Sequence, residues 1–341
     1  MNPKQNKQLY WQLPFLALLI VGTVLIIRQQ HATPYQKCAG GIFGTSYHII
    51  YQYDDDLQAE IEAKMKEVDA SLSMFNKESI ISRINNNQSV ELNDMFVEVF
   101  QQAEKISEDT DGAFDITVGP LVNAWGFGFK HEQLPNKHAV DSLMTIIGYK
   151  KVQLASNGSI KKSDPRITLD CSAIAKGYGV DVVARLLEEK GISNYMVEIG
   201  GEVVTRGISE KRVPWKIGVT KPTDDPLSEG GELQTILNVT DKAMATSGNY
   251  RNFYYKGKRK YAHTINPKTG YPVQHSILSA TVLTNTCMRA DAYATAFMVM
   301  GFEGAKKILE RNPDLMAYLI YDDKGETKVW FSPSLKEKID H

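Results

Sequence analysis

The sequence predicts an α+β fold, with helices gathered early and antiparallel strands clustered late. Three observations carry that prediction. Two amphipathic helical stretches lie between residues 57 and 106, and five strand-like runs fall between 195 and 284. The chain then closes on a pair of strand-like runs, 316–321 and 327–331, that reads as a hairpin. A repeating strand–helix–strand order, which would give a parallel sheet, is not the pattern.

Taken in order, residues 42–53 alternate and are rich in β-branched and aromatic residues, so a strand is expected there. Asp54 to Asp56 then open a helix whose apolar positions are Leu57, Ile61, Met65, Val68, Leu72 and Phe75, at steps of three and four. A second helix starts at Asn93, buries Phe96, Val99, Phe100, Ala103 and Ile106, and stops before Gly112. Ile167, Thr168 and Leu169 read as a strand ending at Asp170. Residues 174–190 read as a third helix with Gly191 as its stop. Strands are expected at 195–199, 202–206, 215–219, 235–239 and 278–284, followed by a helix carrying Asp291 and another at 303–311. The final hairpin turns at Lys324-Gly325. Segment 221–232, rich in Pro, Asp, Glu and Gly, is a loop excursion inside the domain.

At 341 residues the chain is long enough for a large core, and 43% hydrophobic with 23% charged residues is ordinary globular composition. A formal charge of −1 provides no basic field, so no nucleic-acid partner is expected. Lys4 and Lys7 precede an uncharged run from Leu9 to Ile27 that ends at Arg28, close to the ~20 residues that cross a bilayer as a helix. Tyr10 and Trp11 stand where an interfacial belt would lie, and residues 28–33 offer no small-x-small cleavage site. An uncleaved signal anchor is therefore preferred to a cleaved peptide, with lipidation at Cys38 third. The basic flank places the rest of the chain on the extracytoplasmic side of the inner membrane. The organisation expected is 1–39 anchor and linker, 40–332 globular domain, and 333–341 tail. Three cysteines (Cys38, Cys171, Cys287) are too few for a disulfide scaffold and are expected to be small buried hydrophobes.

Five segments carry chemistry. In Arg289 to Phe297, a helix of good formers, Asp291 and Thr295 share one face a turn apart and offer two oxygens to a hard cation such as magnesium. Taken alone, Thr295 equally bonds back to the backbone. In Asp170 to Gly177, a helix start presents free N–H groups to an anion with Lys176 as its cation; alone, Asp170 is a cap and Lys176 a surface charge. The run from Gly112 to Gly128 sets Phe114, Trp125 and Phe127 among glycines, either as a face for a planar heterocycle or as core plugs, with Asp115 a candidate acceptor. Met244 to Arg251 and His263 to Gly270 bring hydroxyls, Arg251 and His263 into turn-rich contexts; His263 is a candidate base and Arg251 a candidate phosphate clamp.

Taken together and in order, these segments resemble the ApbE family of flavin transferases. The resemblance rests on Asp170-x-x-Ala-Ile-Ala-Lys-Gly, Gly200-Gly201, Thr246-Ser247-Gly248, His263-x-x-Asn-Pro-x-x-Gly and Asp291-Ala-x-Ala-Thr. Phe43-Gly44-Thr45, Ser71-Leu72-Ser73 with Phe75, Ser82-Arg83-Ile84-Asn85 and Ala113 to Pro120 add to it, so it spans about residue 40 to 332. It implies an ApbE-like, T-fold-related α+β fold of mixed and antiparallel sheets flanked by helices, with FAD in a central cleft. It implies magnesium-dependent transfer of the FMN half of FAD to a Thr or Ser hydroxyl of an acceptor protein, with release of AMP. The acceptors it implies are flavin-bearing subunits of redox complexes. Carried over, the metal is held by Ala173, Asp291, Ala294 and Thr295. FAD contacts Phe43, Phe75, Ala113, Phe114, Asp115, Asp170, Lys176 and Ile265, with His263 and Asp291 catalytic. Some relatives carry a second carboxylate where Ala294 stands, so fewer anionic ligands are expected here. The rival readings are an FAD diphosphatase, in which water replaces the hydroxyl, a protein that binds FAD without reacting it, and a purely structural anchored protein.

Overall fold

A computed structural model describes residues 13–24, 33–127, 134–222, 232–249, 253–256, 259–274 and 276–339. Its centre is an eight-stranded antiparallel sheet. The strands in chain order are β1 (Tyr35–Ile42), β2 (Thr45–Gln52), the small pair β3 (Val152–Leu154) and β4 (Ile160–Lys162), β5 (Tyr195–Ile199) and β6 (Glu202–Arg206). They continue as β7 (Lys216–Thr220), β8 (Leu233–Asn238), β9 (Lys242–Gly248), β10 (Phe253–Lys256), β11 (Arg259–Ala262), β12 (Ile277–Thr284), β13 (Met316–Asp323) and β14 (Glu326–Phe331). In space the main sheet runs β1-β2-β5-β6-β9-β12-β13-β14, so each strand neighbours the next one available in sequence.

The helices form from the expected periods. Gln58–Leu72 buries Ile61, Met65, Val68 and Leu72; its N-cap is Leu57, and Asp56, one residue earlier, accepts the Gln58 N–H through Oδ1 at 2.9 Å. Asp94–Asp109 starts at Asn93, whose side chain accepts from Phe96 N, and buries the five apolar residues expected of it. Ala175–Glu189 ends before Gly191, whose φ of +76° closes the helix. The long helix Cys287–Arg311 breaks at Gly301, with φ +75° and ψ 178°, which separates the Asp291 helix from the one expected at 303–311.

These helices cover one face of the sheet. Period two decides which residues they meet. Along β9, Ala243 and Ala245 point to the helices, while Met244 points to the opposite layer with Val219, Leu237, Leu283, Tyr318 and Leu335. That second layer is closed by the β7–β8 ribbon and the 3-10 turn Pro333–Lys338.

Four expectations change. The strand expected at 42–53 is the hairpin β1–β2, turning at Phe43 and Gly44 (φ +52° and +73°); β1 escaped notice because Tyr35 to Ile42 carries few β-branched residues. Residues 167–169 lie outside any strand. Phe75 falls beyond its helix and is 76% exposed. The segment from Met244, read as turn-rich, is a central strand through Gly248, where inter-strand packing of small residues outweighs weak strand propensity. The packed unit also exceeds 40–332: β1 begins at Tyr35, and Leu335 is fully buried. Most of the loop excursion (223–231), Arg251, and residues 9–12 and 25–27 of the apolar N-terminal run lie outside the described residues. Among the described residues no helix is long and apolar enough to cross a membrane.

Candidate active site

Two helices meet start to start. The beginning of Ala175–Glu189 packs on the beginning of Cys287–Arg311, and Gly177 is the point of closest approach. A Cβ there would stand 2.4 Å from the Cys287 carbonyl oxygen and 2.9 Å from the Asp291 Cβ, so only glycine fits. Free N–H groups at helix starts attract carboxylates, and here each helix supplies one to the other. Asp291 Oδ2 accepts the Gly177 N–H at 3.1 Å. Asp181 returns the contact: its two oxygens accept the N–H groups of Cys287 and Met288, both at 2.8 Å.

This reciprocal capping fixes the Asp291 face. Asp291 is 3% exposed. One turn on, the Thr295 hydroxyl lies 3.1 Å from Ser247 Oγ, because Ser247 shares the inward face of β9 with Ala245. Lys176, at the helix start, places its ammonium 2.5 Å from Glu202 Oε1. Glu202 follows the two-residue turn Gly200-Gly201, whose φ values of +62° and +99° are those of a tight hairpin between β5 and β6. Period two from the buried Val204 turns Glu202 inward, where Oε2 is buried without a hydrogen-bond partner.

The electrostatics follow from burial. Burial pushes the Asp291 carboxyl up, opposed by Lys176 and by the Gly177 N–H. Glu202 is pushed up to about 7 by burial and by the Asp291 charge, against the pull of Lys176. Burial pulls Lys176 down, but Asp291 and Glu202 outweigh it and its ammonium is held above its ordinary range. Two crowded carboxylates and one cation leave the cluster favourable to a further positive charge.

Whether a metal fits can be judged from these donors. Among the described residues there is no group of three or more His, Cys, Asp or Glu side chains able to hold one. The donors present are one buried carboxylate, Asp291, and a threonine hydroxyl one turn away, Thr295, with Ala173 part-buried in the turn that precedes the Ala175–Glu189 helix. Hard oxygen donors too few to close a shell suit magnesium, which completes its shell with water and substrate phosphates. The residues fit that ion.

The remaining expected residues divide into two groups. Phe43 takes a left-handed turn conformation, and its ring packs where a Cβ at Gly179 would stand 2.7 Å from Cε2. Phe75 presents its ring to solvent. Asp170, partly exposed, accepts Ser172 N through Oδ1 at 2.8 Å. Ala113, Phe114 and Ile265 are buried, as is Ala294. Asp115 is committed inward: Oδ1 accepts the Thr117 N–H and hydroxyl, and Oδ2 accepts Tyr149 N at 2.8 Å. Of the two readings of the 112–128 run, the core-plug one describes Phe114 and Trp125, which are 2% and 5% exposed.

His263 is half-buried and meets Phe127 edge-on, with ring centroids 6.4 Å apart. Its neighbour Thr264 donates to Asn249 Oδ1 at 2.7 Å, and Asn249 directly follows β9. The histidine segment is thereby tied to the strand that carries Ser247. The three cysteines are buried and free, as expected.

The architecture has counterparts among known proteins. A model described as "ApbE family" matches residues 43–320. The chain belongs to the ApbE family. It is 38% identical over 309 residues to an FAD:protein FMN transferase of Haemophilus influenzae, covering 85% of this chain and 88% of that protein. The Escherichia coli FAD:protein FMN transferase is 33% identical over 319 residues, 90% of each chain. The structure of the flavin transferase ApbE from Vibrio cholerae superposes with a TM-score of 0.81 at 35% identity, over 89% of this chain and 99% of that one. An apo flavinyl transferase ApbE of Pseudomonas stutzeri gives 0.80 at 28% identity, over 89% and 96%. The ApbE-like α+β fold expected from the sequence is the fold observed, and the family is one of enzymes.

Two residues of the cluster were not singled out from the sequence: Asp181 and Glu202. Each had a signal. Asp181 is an acid on the otherwise apolar inward face of its helix, and Glu202 stands two residues before Val204 on one strand.

Proposed function

We propose that this ApbE-family chain is a magnesium-dependent FAD:protein FMN transferase that modifies a Thr or Ser hydroxyl and releases AMP. The Haemophilus influenzae and Escherichia coli relatives are named FAD:protein FMN transferases, which supports the transfer itself. The observation that carries the reading to these residues is the contact of Asp291 with the Gly177 N–H, which joins the oxygen-rich helix face to an anion-favouring helix start.

In this reading Asp291, Thr295 and the Ala173 carbonyl hold the ion, with the Ala294 backbone adjoining. When bound, magnesium would neutralise diphosphate charge as it grows in the transition state. Lys176 and the Ala175–Glu189 helix start hold the diphosphate, and the exposed ring of Phe75 offers a face to the flavin. The acceptor oxygen forms a bond to the FMN phosphorus, the bond from that phosphorus to the bridging oxygen breaks, and AMP leaves with the electron pair. The hydroxyl proton passes to His263 or to a carboxylate nearby.

We also propose that the N-terminal segment anchors the enzyme, with the catalytic domain on the extracytoplasmic side. The described helix 13–24 supports this, because Leu13, Phe15, Leu16 and Leu18 each expose more than half of their surface (59%, 66%, 55% and 71%). Lipid would cover such a surface. The acceptors it would reach there are flavin-bearing redox subunits.

The test is to incubate the purified protein with FAD, magnesium and a Thr-containing acceptor protein, then weigh the acceptor. A mass gain of FMN less water, matched by AMP, is expected. FMN release without labelling would point to a diphosphatase, and retention of FAD without AMP would leave only a flavin carrier.

A further inference from the structure

The transferase reading gives Lys176 a diphosphate to hold, and the role inferred here for its partner Glu202 rests on that reading. A lysine ammonium sits on a four-carbon stem that loses ~1.5–2 kcal/mol of side-chain entropy when it is fixed. A phosphate-holding lysine therefore gains from being fixed before its ligand arrives. Lys176 has 32% of its side chain exposed, whereas Glu202 has 4%. The carboxylate cannot follow the lysine outward, since it sits on a central strand directly after a hairpin turn.

Glu202 is also poorly explained as a stabilising residue. It keeps one oxygen in the interior with no hydrogen-bond partner and lies close enough to Asp291 to feel its charge. Buried ion pairs of this kind are often matched or bettered in stability by neutral groups of similar size. Its geometry toward Lys176 is better defined: Oε1 engages one of three ammonium donors from the protein side. An ammonium has three donors, so this contact leaves two for a ligand.

We propose that Glu202 is a positioning residue, a buried carboxylate that pins the Lys176 ammonium so that its free N–H groups meet the diphosphate of FAD. Glu202 touches neither FAD nor the metal. Its effect passes through Lys176 alone.

A double-mutant cycle tests this on the full-length protein, with FAD affinity read from flavin fluorescence in the presence of a metal chelator. The variants are Lys176→Ala, Glu202→Gln and the pair; Lys176→Met, which keeps the stem, replaces Lys176→Ala should that variant not fold. Glu202→Gln should weaken FAD binding about threefold to tenfold when Lys176 is present, and by less than about twofold when it is absent. The pair should also melt higher than Lys176→Ala alone, because glutamine removes a charge left unpaired in the interior. Equal weakening in both backgrounds would make Glu202 a general structural residue and overturn the inference. An unchanged affinity for Glu202→Gln in the wild-type background would overturn it as well. Both results leave the transferase reading intact; a wild-type protein that binds no FAD overturns both.

Discussion

Gly177→Ala probes the contact on which the site is built. A methyl group there would lie 2.4 Å from the Cys287 carbonyl oxygen, against an ordinary contact of at least 3.4 Å, so the two helix starts must part by about 1 Å. The Gly177 N–H bond to Asp291, now 3.1 Å, would then be lost. Overpacking of this size costs about 1–3 kcal/mol, and a lost bond to a buried carboxylate about 1.5–3 kcal/mol. The higher helix propensity of alanine returns about 1 kcal/mol. The net is a loss of about 3 kcal/mol, which corresponds to a fall in Tm of roughly 4–6 °C for a domain of this size. Differential scanning calorimetry with and without FAD and magnesium measures it. The gap should widen with ligands present, since the displaced Asp291 no longer faces the diphosphate. A variant that melts at or above the wild-type temperature, with transfer intact, would refute the close-approach argument.

Asp291→Ala should abolish labelling of an acceptor while the protein stays folded, as judged by circular dichroism; undiminished labelling would remove Asp291 from the metal site. Phe75→Ala should leave Tm nearly unchanged, because the ring is 76% exposed, yet weaken FAD about threefold to tenfold through lost stacking. A pH series should expose Asp181, which burial pushes up to about 7 against its two backbone N–H bonds. A carboxyl raised in the fold binds its proton more tightly there than in the unfolded chain. Its contribution is therefore full below about pH 4 and is lost as pH rises to about 7. Asp181→Asn should flatten that part of the stability curve, measured by denaturant midpoints between pH 4.5 and 8; an unaltered slope would place the titration elsewhere.

Much of the fold was legible because long periodic segments state their own partners. The spacing of Ile61, Met65, Val68 and Leu72 gives the first helix, and Asn93 and Gly191 mark where others begin and end. Asp291 and Thr295 were legible as a pair because four residues on a helix is a distance in space. β9 was not, since Ala, Ser and Gly carry little strand propensity and the strand is held by neighbours far along the chain. Glu202 was hidden behind two glycines, which read as a turn and mask the alternation that sends it inward. Asp181 was hidden for another reason. Its partners are backbone N–H groups 106 and 107 residues away, and no local pattern encodes that pairing.

The proposed function requires a metal ion between Asp291 and a diphosphate at the Ala175–Glu189 helix start. Crystals grown with FAD and manganese in place of magnesium, with data collected at the manganese edge, test it most directly. One anomalous peak is predicted, about 2.1–2.3 Å from an Asp291 carboxylate oxygen and from diphosphate oxygens, with Lys176 on the same diphosphate. A peak away from Asp291, or FAD whose diphosphate lies far from Gly177, would contradict it.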